Sequence, residues 1–327
     1  MKAMVLEKQG SPLVLRNLPI PEPKDEEVLV EVQACGVCHT DLHIFEGELP
    51  ARRLPLILGH QIVGKVVTVG KNVSGIASGD LVGTPWLFSV CGECVFCRRG
   101  RENLCENARF TGYDVDGGYA EYFLAHRDSV YPLPQDYKVT ELAPLLCGGV
   151  IGYRAYRAAG LEKGDVLALF GFGSSAHLVL QMARYEGHEV FVFTRSPHHK
   201  LLAWELGASF VGDAEDTPPA TFQAALVFAP SGYLIRKALE HLAPGGKVVA
   251  CGIYATPIPE IPYELIYKER SVQSIANSTR NDVRELLAMA KQYHFTVSTE
   301  VYPLEEANVV LERLKKREIR ASAVLVP

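Results

Sequence analysis

From about Ala143 the chain changes period, and that change limits the folds open to it. Strand-like VLALFGF is followed by helical SSAHLVLQMARYEG, VFVFT by HHKLLAWELGA, and AALVFAP by GYLIRKALEHL, before a further strand, KVVACGI. Short apolar runs separated by whole helices cannot close as hairpins. They need crossover connections, so this part is expected to be α/β, with a doubly wound parallel sheet. The first 150 residues read differently. VLVEVQACGV, IVGKVVTVG and YAEYFLAH are short β-branched or alternating runs, parted by Gly, Pro and Asp, so a β-rich unit is expected there. After Thr279 come a helix (NDVRELLAMAKQYH), a strand (VSTEVYPL), a helix (EEANVVLERLKKRE) and a last strand (ASAVLVP). This tail is expected to return to the first domain. The expected division is 1–148 with 280–327 in one domain and 149–279 in the other.

Composition removes several classes. Hydrophobic residues make up 48% and charged residues 22% of 327, with net charge −5, which is ordinary for a globular chain with real cores. An acidic balance argues against a surface that neutralises many phosphates, so nucleic acid is not expected as a partner. The start, MKAMVLEKQG, has no apolar signal-peptide core. The uncharged run at 166–183 is broken by GFGSS and reads as strand, turn and helix rather than a membrane span. Eight cysteines in such a chain point to metal or catalysis in a reducing, cytoplasmic setting rather than to disulfides.

CGECVFCRRGRENLC places Cys91, Cys94, Cys97 and Cys105 with gaps of two, two and seven. Four thiolates this close suit one tetrahedral structural zinc with no open position. Disulfides or chance clustering are the plain alternatives. An iron–sulfur cluster is the sharper one, but ferredoxin spacing has a last gap of about three followed by Pro, whereas Glu106 follows Cys105 here. Three further stretches, CGVCHTDLH, GHQIVG and LCGGV, carry Cys38, His60 and Cys147. Two thiolates and an imidazole leave a fourth position free, which suits a catalytic zinc. Singly each is weak, because a lone Cys is more often a small core residue.

GFGSSA follows a strand-like run and opens a helix, the setting that gives a G-x-G-x-x-A pattern its meaning. Gly171 allows the tight turn, Gly173 lets a pyrophosphate approach, and Ala176 permits close packing. The free N–H groups of the helix start bind an anion, and Ser174 and Ser175 add donors. NAD-specific folds place an acid on the ribose about 20 residues on. Thr194 stands there, followed by Arg195, Ser196 and Lys200, and the stretch itself holds no carboxylate. A guanidinium is suited to a 2′-phosphate, so NADP(H) is favoured over NAD(H), with the second still possible. Cys251, Gly252 and Ile253, at the end of the strand KVVACGI, are expected near the nicotinamide. Cys35 has no expected metal role.

Taken together, CGVCHTDLH, GHQIVG, CGECVFCRRGRENLC, DGGYAEY, LCGGV and GFGSSA occur in the order found in zinc-dependent medium-chain alcohol dehydrogenases, and the chain resembles that family throughout. The resemblance implies a GroES-like β-rich catalytic domain, a Rossmann coenzyme-binding domain and an active site in the cleft between them. It implies two zincs per chain, with Cys38, His60 and Cys147 holding the catalytic one. Asp41 then fixes a ligand histidine. Thr40 accepts the alcohol proton, and His43 passes it towards solvent through the nicotinamide ribose. His39 falls where the family sets a cation against the pyrophosphate, and Trp86 where it lines the substrate pocket. The implied activity is hydride transfer between the nicotinamide cofactor and a small primary alcohol or aldehyde, in a homodimer or homotetramer.

Three departures stand out. Gln61 replaces the family's Glu, which can reach the zinc and help ligand exchange. Ile151 replaces a Thr on the nicotinamide side. Ser322 stands at the position of a pyrophosphate arginine, with Arg320 two residues earlier. Other readings are a polyol or secondary-alcohol dehydrogenase, a zinc-free quinone-reductase-like relative, and a zinc-ribbon binding module without catalysis.

Overall fold

A computed structural model describes all residues 1–327. The chain forms two compact units, Met1–Cys147 with Asn277–Pro327, and Gly148–Ala276.

In the first unit the long strand Glu27–Val37 is the hub. It pairs antiparallel with Ile62–Val69, Tyr122–His126 and Ser322–Val326. Its register against Ile62–Val69 slips at Leu29/Val30 and Val32/Ala34. Such bulges bend and twist a strand, which lets one strand serve several partners. The sheet runs outward through Leu81–Thr84 to Tyr131–Pro132 on one side, and through Ser322–Val326 to Thr299–Pro303 on the other. The C-terminal tail therefore completes the first unit's sheet, with Leu325 opposite Cys35. The helix read over the EEANVV stretch is shorter than expected, spanning Ala307–Lys315. A 3-10 turn, Leu304–Glu306, precedes it, and Arg317 at φ 60° turns the chain out of it.

The second unit is a six-stranded parallel sheet: β1 (Val166–Phe170), β2 (Glu189–Phe193), β3 (Phe210–Gly212), β4 (Phe222–Val227), β5 (Leu242–Ala250) and β6 (Ser271–Ser274). The spatial order is β3-β2-β1-β4-β5-β6, the Rossmann order, with its switch point between β1 and β4. The inner strands are buried on both faces, which is why they read as apolar runs rather than alternations. Phe170 stacks on Phe193 at 4.4 Å and meets Phe222 edge-on, tying β1, β2 and β4 through one aromatic cluster. The uncharged run at 166–183 divides into β1 and the helix Ser174–Tyr185, and no helix is long and apolar enough to cross a membrane.

Candidate active site

The first unit brings Cys38, His60 and Cys147 together from three segments, with their ligand atoms within 4.8 Å of one another. Cys38 sits where Glu27–Val37 gives way to the helix His39–Glu46, at its N-cap. Asp41, at the third helical position, accepts the Cys38 backbone N–H at 2.9 Å, half of a capping box. His60 follows Gly59, whose φ of +94° excludes other residues; a Cβ there would lie 2.4 Å from the Tyr119 ring. Cys147 ends the 3-10 turn Ala143–Leu146.

These three residues fit a zinc. Cys38 Sγ and Cys147 Sγ are 3.8 Å apart, and two thiolates about 2.3 Å from a tetrahedral ion would stand about 3.8 Å apart. His60 is fully buried, and its Nε2 has no hydrogen-bond partner. Its Nδ1 lies 3.0 Å from Asp41 Oδ1, which leaves Nε2 as the ligand atom. Burial opposes a charged His60 ring, yet Asp41 and the neighbouring Cys38 raise its pKa to about 10 without metal. The shared hydrogen bond holds Cys38 well below a thiol's usual value and pushes Cys147 well above it.

Around this trio, Thr40 Oγ1 lies 3.8 Å from Cys38 Sγ, and His43 Nδ1 meets the exposed Glu48 carboxylate at 2.5 Å. His39 is exposed at the helix start. Gln61 is buried with its side chain over Gly36, where a Cβ would come within 2.7 Å of Oε1. Trp86 meets the His60 ring edge-on at 4.9 Å and stacks on Phe110 and Tyr113. Its Nε1 donates to Asn277 Oδ1 at 3.1 Å, a partner 191 residues away that sequence reading missed.

Cys91, Cys94, Cys97 and Cys105 form a second group with ligand atoms within 4.8 Å. Cys91 Sγ lies 3.5 Å from Cys105 Sγ and 3.9 Å from Cys97 Sγ. Backbone N–H groups of Cys94 and Cys97 point at the sulfurs of Cys91 and Cys94. The N–H groups of Cys94 and Glu93 hold Cys91 down at about 6. Four converging thiols, one already close to ionised at neutral pH, suit a closed zinc site.

In the second unit, three of the segments singled out in the sequence meet at the C-terminal edge of the parallel sheet. Gly171 to Ala176 follow β1, Thr194 to Ser196 follow β2, and Cys251 to Ile253 follow β5. Gly171 has φ +86°, and a Cβ there would lie 2.9 Å from Ala229 N. A Cβ on Gly173 would meet nothing within 4 Å, so the helix start opens onto space; Ser174 and Ser175 are half-buried beside it and Ala176 is fully buried. Thr194 is buried, Arg195 is exposed, and Ser196 Oγ is buried without a partner. Lys200 Nζ lies 2.8 Å from Asp213 Oδ2. The 190s contain no carboxylate, but β3 carries one in beside them, since Thr194 N donates to Gly212 O at 2.8 Å. Cys251 is mostly buried with its thiol on Val249 O, while Gly252 and Ile253 are exposed. Ile151 lies half-buried in the helix Gly148–Ala159, and Ser322 is buried in its strand.

Residues 24–135 match the alcohol dehydrogenase GroES-like domain, and 176–292 match the zinc-binding dehydrogenase domain. The chain is 44% identical over 321 residues to a Mycobacterium tuberculosis protein called "Probable alcohol dehydrogenase AdhA", covering 96% of this chain and 93% of that one. A solved alcohol dehydrogenase from Aeropyrum pernix superposes with TM-score 0.90 at 31% identity, covering 100% of both chains. A cinnamyl alcohol dehydrogenase from Sorghum bicolor superposes with TM-score 0.91 at 27% identity, covering 99% and 97%.

Proposed function

The chain belongs to the zinc-dependent medium-chain alcohol dehydrogenases, and from that premise we propose an NADP(H)-dependent enzyme that interconverts small primary alcohols and aldehydes at a zinc held by Cys38, His60 and Cys147. The observation that carries the reading is the buried, unpartnered Nε2 of His60 beside two thiols 3.8 Å apart. Zinc at this trio supplies a Lewis acid for the alcohol or carbonyl oxygen. Asp41 fixes the His60 ring. Thr40 Oγ1 accepts the alcohol proton, and His43, bonded to exposed Glu48, hands it to water. Trp86, locked by Asn277 and its aromatic neighbours, narrows the pocket and favours small substrates. Gln61, buried at the position of the family's Glu, is neutral and a poorer ligand, so it gives weaker help to ligand exchange at the zinc. Cys91, Cys94, Cys97 and Cys105 hold a second, structural zinc.

For the nucleotide, Gly171, Gly173, Ser174, Ser175 and Ala176 seat the pyrophosphate; desolvation lowers the pKa of His39 from its ordinary value, so its neutral ring offers an N–H donor rather than a charge. Cys251, Gly252 and Ile253 border the nicotinamide. Thr194, Arg195 and Ser196 take the 2′-phosphate; the support is an exposed guanidinium and an unpartnered hydroxyl at the end of β2. Lys200 contributes less than its charge suggests while Asp213 holds it.

The protein acts as a homo-oligomer in a reducing, cytoplasmic compartment. The second copy is supported by the edge strand β6 and by exposed Ile253, Tyr254, Tyr263 and Tyr267 in the segment before it. The compartment is supported by the convergence of Cys91, Cys94, Cys97 and Cys105, and of Cys38 and Cys147 with His60, as metal-ligating groups.

The test is kcat/KM for NADPH and NADH with a small aldehyde, in wild type and Cys38→Ala. A preference for NADPH of about tenfold or more, about 1.4 kcal/mol, with no turnover by the variant, is expected. Preference for NADH removes the nucleotide reading. Near-normal turnover by Cys38→Ala removes the metal reading.

A further inference from the structure

Asp41 is fully buried and makes four hydrogen bonds. Its Oδ1 accepts from Gly59 N at 3.1 Å and lies 3.0 Å from His60 Nδ1. Its Oδ2 accepts from Cys38 N at 2.9 Å and from the Tyr119 hydroxyl at 3.1 Å. Two of these donors are backbone groups next to the metal trio. The Tyr119 hydroxyl is the one side-chain donor among them besides His60, and it arrives from 78 residues away. Little about Tyr119 is free to move. It is fully buried, its N–H donates to Leu58 O at 2.9 Å, and its carbonyl accepts from Met4 N at 2.8 Å. The ring fills the space over Gly59 that a Cβ would occupy. Burial, with Asp41 beside it, raises the phenol well above its usual value, so the group stays a donor.

We propose that Tyr119 is a positioning residue for the metal centre: its hydroxyl fixes Asp41 Oδ2, and Asp41 in turn holds His60 with Nε2 turned towards Cys38 and Cys147. This rests on the assignment of those three residues as zinc ligands. Without the hydroxyl, Oδ2 keeps only the cap bond, in a fully buried site. A buried carboxylate short of a donor is costly and shifts to find one. The ring it anchors then shifts with it, and metal affinity falls. Partners of this kind are worth about 10- to 100-fold in affinity.

The experiment is zinc competition against 4-(2-pyridylazo)resorcinol, following zinc released per chain, on wild type, Tyr119→Phe, Asp41→Asn and the double variant. Tyr119→Phe removes one oxygen and keeps the ring on Gly59. Retention of the tetracysteine zinc reports that the chain is folded. The expected result is that one zinc of Tyr119→Phe is released about 10- to 100-fold more readily while the other is unchanged. Turnover lost at low zinc returns with excess zinc, which a general loss of structure would not allow. In the Asp41→Asn background the Tyr119→Phe change is expected to add little. Equal retention of both zincs by Tyr119→Phe and wild type overturns the proposal. So does an undiminished effect of Tyr119→Phe in the Asp41→Asn background, which also decides the matter if the single variant folds poorly. Wild type that releases a single zinc in all refutes the ligand assignment itself, a failure separate from that of Tyr119.

Discussion

His177 lies one turn into the helix Ser174–Tyr185, fully buried, with Nδ1 3.2 Å from Gly173 O and Nε2 without a partner. Burial, with nearby His199 adding to it, lowers its pKa from 6.5 to about 4, against the pull of the Gly173 and Ser174 carbonyls. The ring is therefore neutral in the folded chain at neutral pH. The unfolded chain binds this proton below about 6.5 and the folded chain only below about 4. Stability is then lost as pH falls through this window, at about 1.4 kcal/mol per unit. The full shift is worth about 3 kcal/mol, and about 2 kcal/mol of that is gone by pH 5. His177→Gln keeps a donor for Gly173 O and removes the titration. Urea unfolding followed by circular dichroism at pH 7.5, 6 and 5 is expected to show the wild type losing about 2 kcal/mol more than the variant across that range. Parallel loss in both proteins refutes the argument that a neutral buried imidazole underlies the glycine turn.

Other outcomes follow from the same geometry. Gly59→Ala places a Cβ 2.4 Å from the Tyr119 ring at φ +94°, and is expected to cost at least about 2 kcal/mol in thermal unfolding and to empty the zinc site proposed at Cys38, His60 and Cys147. Asp213→Asn frees Lys200, and the NADPH-to-NADH ratio of kcat/KM is expected to rise several-fold; an unchanged ratio means that Lys200 stays clear of the nucleotide. Trp86→Ala is expected to lower kcat/KM for small aldehydes and raise it for bulky ones, measured across an alcohol series. The carboxylate of Glu102 accepts Arg280 N and Nε, and these bonds keep its pKa below the ordinary value despite burial. Glu102→Gln is expected to flatten the loss of stability on acidification below pH about 4.3, because the folded-state carboxylate resists protonation.

Much of this was legible in the chain because the chemistry is local. Four cysteines within fifteen residues, a glycine turn between strand and helix, and alternating apolar runs each report their own surroundings. The inner strands gave themselves away because parallel strands are buried on both faces and carry uninterrupted apolar residues. What was illegible depends on partners far apart in sequence. Asp213 reaches Lys200 only because β3 lies beside β2, so a stretch without acids is not a site without acids. Asn277 reaches Trp86, and Tyr119 reaches Asp41, across distances that no periodicity records. The DGGYAEY motif was visible, but the use of its hydroxyl was not, since Phe and Tyr fill a core alike and differ only by what the oxygen meets.

The most direct measurement is zinc per chain and turnover on the same samples of wild type and His60→Ala, by atomic emission and NADPH oxidation with a small aldehyde. Two zincs and turnover are expected in the wild type, and one zinc with no turnover in the variant. Two zincs in His60→Ala, or turnover that survives the substitution, would contradict it.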